Sequence, residues 1–360
     1  MTIGRLLVSR GCRVLLRILL MLLLLACFSP SVQAKRKDIV VMTNGDHFSG
    51  EVKRLQNGLL YVETDYISGT VGLDWSQVQS VESSAIYKIV LNNGRRLEGK
   101  IQKTPVSETK AADFLIREAT EGEDVTSAST AVVSLETTKP TFWRQMQGTL
   151  DFGYSFASGN NQSALNIDTS GAYKTPGWEA STSFDSTRSG QSGSSKTNRE
   201  DLQTSFEKFF GRNSFAEVIS DFLHSSQQDL QLRTTIGGGY GRYLKRTTNS
   251  NLSWLSGVVY ANESFDTAAG QPSGQNIEAI LGVQYDLIRF NFGEIDSQIQ
   301  AFPGLTDAGR IRLKTNNSLT IKLRNNFHLA FTFWDNFDSE PPPTAKRNEL
   351  GVSSGVGWSF

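Results

Sequence analysis

From Gln145 to Phe360 the chain is a nearly continuous series of long segments in which apolar residues recur at every second position. In "TLDFGYSF", Leu150, Phe152, Tyr154 and Phe156 alternate with Thr149, Asp151, Gly153 and Ser155. In "RIRLKTNNSLTIKLR", Ile311, Leu313, Leu319, Ile321 and Leu323 oppose Arg312, Lys314, Ser318, Thr320, Lys322 and Arg324. A period of two makes a strand with one apolar and one polar face. About twelve such segments are expected, near 145–158, 163–175, 178–189, 199–210, 214–227, 230–245, 250–265, 276–289, 293–302, 309–324, 326–338 and 348–360. Most exceed the roughly 9–11 residues that cross a bilayer at a tilt. A soluble sandwich also alternates, but it must press two apolar faces together and rarely needs strands this long.

The links between segments point the same way. Those after odd-numbered strands are long, such as "SGNNQ", "GQSGSSKT", "DTAAGQPSG" and "SEPPPTAKR"; those after even-numbered strands are tight, such as "TPG" and "GRN". An even strand count with alternately long and short connections is the pattern of an outer-membrane barrel. The fold class expected is therefore all-β: an antiparallel outer-membrane β-barrel of about 12 strands over 143–360, preceded by smaller β-modules.

The start of the chain supports export. Arg5, Arg10, Arg13 and Arg17 precede the apolar run "ILLMLLLLACF" and then "SPSVQAKRK", which reads as a signal peptide over 1–34 with cleavage after Ala34. A rival reading ends the signal at "LLAC" and leaves Cys27 to carry a lipid. Cys12 and Cys27 both precede Ala34, so a chain cleaved there has no disulfide and no thiolate chemistry. Losing four arginines and no acid turns a formally neutral chain into one of about −4, which offers no footprint for nucleic acid.

Between Asp38 and Thr138 lies an internal repeat. "DIVVMTNGDHFSGEV" returns as "YKIVLNNGRRLEGKI", matching Asn44-Gly45 to Asn93-Gly94 and Gly50 to Gly99. "LLYVET" answers "FLIREA", and "VQSVES" answers "VVSLET". Asn-Gly supplies the positive φ of a tight hairpin. Two small tandem β-modules are expected, over 38–88 and 89–138, and they resemble SH3-like or Sm-type barrels. Arg95 and Arg96 alone make no RNA-binding groove, because the clustered stacking aromatics are missing. A periplasmic interaction module with a protein partner is the expectation.

At the far end, Val356, Trp358 and Phe360 complete an alternating terminal strand. Such a strand with a final aromatic resembles the assembly signal that barrel-inserting machinery reads. With "GTLDFGYSFASGN", "GGGYGRYL", "FWDNFDSEPP" and "GVGWSF", the region from about Trp143 to Phe360 resembles the DUF481 family, some of whose members are called salt-induced outer membrane proteins. The resemblance implies an outer-membrane, porin-like barrel and no established reaction.

Parity also sorts the charges. Glu278, Asp286, Glu294 and Asp296 on strands eight and nine should face the lumen, as should Arg312, Lys314, Lys322 and Arg324 on strand ten. Asp201, Glu207, Glu217, Asp221 and Arg233 add charge elsewhere. Such groups must pair across strands or meet water. Salt bridges filling a narrow lumen and a conducting pore with a transverse field are both open readings.

An enzyme is not expected, and neither a cofactor nor a metal site is. His224, beside Ser225 and Ser226, has lipid-facing parity, and His328 has lumen-facing parity with Ser318 as its candidate neighbour. Neither makes a coherent triad. "GGGYG" at Gly237–Gly241 lacks the Lys-Ser/Thr and helix of a phosphate loop, so relief of crowding is the better reading. The expected function is an envelope structural or stress protein, or a narrow solute channel, in contact with outer-membrane lipids. The alternatives are an outer-membrane lipid-modifying enzyme and a secreted soluble all-β protein.

Overall fold

The computed structural model describes residues 37–67, 69–103, 113–118, 125–137, 146–157, 162–191, 196–211, 213–266, 274–289, 293–323, 326–343 and 345–359. The expectations placed on Cys27, Ala34, Arg324 and Phe360 lie outside these residues.

The repeat is visible strand for strand. The first copy runs β1 (Asp38–Met42), β2 (His47–Gln56), β3 (Leu59–Glu63), β4 (Thr70–Asp74), a 3-10 turn at Trp75–Gln77 and β5 (Val78–Glu82). The second runs β6 (Tyr87–Leu91), β7 (Arg96–Lys103), β8 (Asp113–Glu118), β9 (Val125–Ala128), a 3-10 turn at Ser129–Ala131 and β10 (Val132–Thr137). Each opens on the same turn. Gly45 and Gly94 have φ of 88° and 82°, and the Asn44 and Asn93 side chains each accept a 3.0 Å hydrogen bond from the backbone N–H two residues on. In each copy the last strand pairs with the first, β5 with β1 and β10 with β6.

The copies are joined. β10 also pairs with β2, through Leu135 and Leu55, so the strands share one 10-stranded sheet system. A single apolar core draws on both copies, including Val52, Leu60 and Trp75 from one and Ile89, Ile101 and Leu135 from the other.

The remaining strands form a closed up-and-down barrel: β11 (Met146–Ala157), β12 (Gln162–Lys174), β13 (Trp178–Gln191), β14 (Thr197–Phe209), β15 (Ser214–Ser225), β16 (Leu230–Arg246), β17 (Ser250–Phe265), β18 (Gly274–Arg289), β19 (Gly293–Pro303), β20 (Ile311–Lys322), β21 (Phe327–Asp338) and β22 (Asn348–Ser359). Every strand pairs antiparallel with its neighbours in sequence, and β22 closes on β11. Closure removes the sheet edges that lipid could not satisfy. No helix among the described residues is long and apolar enough to cross a membrane.

The outward face is apolar. Leu150, Phe152, Tyr154, Val218, Val258, Leu281, Ile299, Val352 and Val356 are among its exposed residues. Near the tight-turn end lies an aromatic band: Trp178 stacks between Tyr173 and Phe206, Tyr240 meets Trp254 edge-on, and Phe327 and Trp358 stand exposed. An apolar belt with an aromatic girdle is what a bilayer selects on a barrel's outside. The Gly237–Gly241 run serves packing. A Cβ at Gly239 would meet the Ser256 carbonyl, and one at Gly241 would strike the Phe215 ring and the Trp254 carbonyl. In the long "SEPPPTAKR" link Pro342 is buried while Pro343 is exposed.

Candidate functional site: a salt-bridged lumen

The inside of the barrel is built by the other parity. Because the strands are antiparallel and in register, lumen-facing residues from adjacent strands stand directly opposite one another. One such row runs Asp151–Asp168–Asp185–Asp201 across β11, β12, β13 and β14. Like charges directly opposed are destabilising, so cations are needed along it.

They arrive from elsewhere in the ring. Arg199 lies 2.6 Å from Asp201, and Lys314 on β20 reaches Asp201 at 3.0 Å and also contacts Asp221 on β15. β20 and β14 stand six places apart in a ring of twelve, so the Lys314–Asp201 pair crosses the full width of the lumen. At the row's other end His328 on β21 lies 2.7 Å from Asp151.

Nearer the long-loop end the lumen is bound again. Arg310, just before β20, donates to Glu263 of β17 at 2.7 Å and to Asp338 of β21 at 2.5 Å. Arg233 of β16 joins the same two carboxylates at 2.6 and 3.3 Å. Arg312 forms a bidentate pair with Glu278 of β18, and its guanidinium lies 5.0 Å from the centre of the Phe302 ring. Ser225 of β15 donates to Glu349 of β22 at 2.8 Å, and Arg199 lies 4.3 Å over the Trp334 ring. These groups are dry: Asp201 is 0% exposed, Glu278 1% and Lys314 8%. Desolvated charges persist only when paired and hydrogen-bonded, as these are.

Glu278, Arg312 and Lys314 therefore form inward-facing ion pairs, as their parity requires. Asp286 and Asp296 stand directly opposed on β18 and β19, with the Gln284 amide donating to Asp286 at 3.1 Å. Glu294 is half-buried and Lys322 is exposed at the tight-turn end, outside the central network. Val356 and Trp358 face outward. His224 and Ser225 point to opposite faces: the imidazole Nδ1 is 3.0 Å from the Gln231 carbonyl, while the hydroxyl turns inward to Glu349.

One neighbour was misplaced by parity. Ser318 pairs with Asp296 and Thr332, four residues along β20 from the position opposite His328, and the serine that meets His328 is Ser359, 3.0 Å from Nδ1. The same parity rule applied to β11, β17, β21 and β22 would have found Asp151, Glu263, Asp338 and Glu349. Arg310 precedes the observed start of β20 but lies within the segment 309–324 and shares the parity of Arg312 and Lys314, so the same rule would have found it.

The N-terminal domain meets the barrel at its tight-turn end. Arg96 donates to the Pro176 carbonyl in the β12–β13 turn and, at 3.4 Å, to the Phe210 carbonyl in the β14–β15 turn. The Asn213 amide donates to the Asn92 carbonyl at 2.6 Å. Burial and the nearby charge of Arg246 hold the Arg96 guanidinium below its ordinary pKa.

A closed twelve-stranded barrel with an apolar outside, a lumen crossed by ion pairs and a β-domain docked on its tight turns is a membrane-type barrel protein. The chain belongs to the family described as protein of unknown function, DUF481, whose pattern matches residues 150–360. Among solved structures it is similar to the translocator domain of the autotransporter NalP from Neisseria meningitidis (13% identity, TM-score 0.35, covering 59% of this chain and 86% of that one). It is also similar to the NanC porin (12%, 0.38, 59% and 98%) and to the β-domain of the Bordetella autotransporter BrkA (11%, 0.30, 60% and 97%). No curated protein matches the chain.

Proposed function

We propose that this protein is a closed outer-membrane anchor: a barrel whose lumen is tied shut and whose N-terminal β-domain is held in the periplasm to meet a protein partner. The observation that carries the reading is the Lys314–Asp201 pair, which spans the lumen between opposite walls. A conducting pathway needs sites weak enough to leave, and a desolvated ion pair across the channel is the opposite arrangement. This favours the structural role over the narrow channel. Envelope lipids then contact the apolar belt, and the barrel-assembly machinery reads a terminal strand that includes Val356 and Trp358.

The reading is non-enzymatic. Ser359, His328 and Asp151 stand in a hydrogen-bonded line, but the imidazole is 2% exposed and wedged between strands. A general base must reach a substrate as well as its nucleophile. This line fits a strut better than a hydrolytic site.

The test is single-channel recording of the refolded full chain in a planar bilayer. The wild type should be silent, and a Lys314→Ala, Arg310→Ala double variant should show discrete steps. Steady conductance from the wild type would overturn the closed reading in favour of a pore.

A further inference from the structure

The closing seam of the barrel is only partly zipped. Thr149–Phe152 pair with Ser359–Val356, but nearer the long loops β11 and β22 form no ladder with each other. At that place lies a cavity of about 290 Å³. Part of its wall is lumen-facing and polar: Asn166, Arg199, Glu349 and Ser353. Its rim is outward-facing and apolar, with Tyr154, Leu350 and Val352 at 63%, 60% and 74% exposure. The cavity therefore reaches the unpaired part of the seam, where residues of both faces line it.

One polar atom on that wall is buried without a partner, Arg199 Nε, and Arg199 as a whole is 4% exposed. It is a donor. Buried polar groups normally find partners, so it marks a place where a ligand would complete the bonding.

We infer that the partly open seam is a lateral binding site for a single-chain amphiphile with a neutral, hydroxyl-bearing head. The head sits inside against Arg199 and Glu349, and the chain leaves past Tyr154, Leu350 and Val352 into the hydrocarbon. The charge balance selects a neutral head. Arg199 and Glu349 are the charged residues lining the cavity; the first is paired with Asp201 and the second accepts from Ser225. An anionic head would meet Glu349 and a cationic one Arg199, whereas a hydroxyl both donates and accepts. The volume lies at the bottom of the roughly 300–1,000 Å³ span of small-molecule sites, which suits a glycerol or single-sugar head. The site rests on the membrane placement proposed above.

The full chain, reconstituted in phosphatidylcholine discs, would be irradiated with a monoacylglycerol carrying a diazirine beside its ester, and the adducts mapped by mass spectrometry. Labelling should concentrate on 349–354, 154–155 and 197–199, about tenfold above the half-exposed Leu281 and Val283 on β18, far more than their lower exposure accounts for. Octyl glucoside should compete it away, and octyl sulfate should compete about tenfold less well. Ala164→Phe, which fills the cavity from β12, should abolish the excess; if that variant does not give a folded barrel, the smaller Ala164→Leu takes its place. Labelling spread evenly around the belt, indifference to the filling variant, or equal competition by octyl sulfate would overturn the site. A chain that stays out of the discs would overturn the membrane placement itself, and is a different result from a disc-borne barrel that labels evenly.

Discussion

His328 Nε2 lies 2.7 Å from Asp151 Oδ1, linking β21 to β11 over the top of β22. The residue beneath that link is Gly357, the register partner of both. A Cβ there would collide with the carboxylate and the imidazole together. Gly357→Ala should therefore force the latch apart and destabilise the barrel by about 1–3 kcal/mol, the usual cost of overpacking. The urea midpoint for loss of heat-modifiable gel migration reads this directly. An unchanged midpoint would show that the seam does not depend on the latch.

Lys314 serves two carboxylates on the far wall. Lys314→Met removes the charge while keeping much of the volume, and leaves Asp221 and part of Asp201 uncompensated. Breaking a buried pair from one side costs about 3–5 kcal/mol. Adding Asp221→Asn to Lys314→Met should recover a good part of the loss, because the stranded charge is then gone. A double variant as unstable as the single one would mean that the lysine stem, rather than its charge, holds the wall.

The aspartate row makes the opposite kind of prediction. Asp185 stands between Asp168 and Asp201 and makes no salt bridge among the described residues. Asp185→Asn removes like-charge repulsion at no cost in size, and should stabilise the barrel by about 0.2–1 kcal/mol. The same urea titration tests it, with a fall in midpoint as the contrary outcome.

How much of this could be read from the chain itself depends on periodicity. The strands of the barrel were legible because each is long and strictly alternating, and the inward direction of Glu278, Arg312 and Lys314 followed from the same parity. Which residues those charges would meet was not legible. Asp201 and Lys314 are separated by more than a hundred residues, and their contact is set by ring position, which no local pattern records. The seam cavity was hidden for a related reason, since Tyr154 and Leu350 both look like ordinary outward-facing strand residues. In the N-terminal domain the repeat was plain from Asn44-Gly45 and Asn93-Gly94, while the sharing of one core hinges on Leu55 meeting Leu135, two leucines with nothing to distinguish them in sequence.

Arg96 is the main polar link between the two parts of the chain. Arg96→Ala removes the donors to the Pro176 and Phe210 carbonyls, charge-assisted bonds worth about 1.5–3 kcal/mol. The expected result is faster amide exchange at 92–94 and 210–214 with no change in the barrel's own denaturant midpoint. If exchange there stays slow, the docking rests on other contacts.

Almost every strand pairing in the barrel joins neighbours in sequence, and hairpins of that kind close quickly because little chain must be ordered first. The seam is the exception. Thr149–Phe152 must find Val356–Ser359 across the whole length of the barrel, and Asp151 meets His328 only once β22 has come between them. Closure therefore acts as a completeness check. A barrel halted before β22 would have every hairpin through β20–β21 in place and still leave Asp151, with the aspartates ranked beside it, parted from His328 by the width of the missing strand.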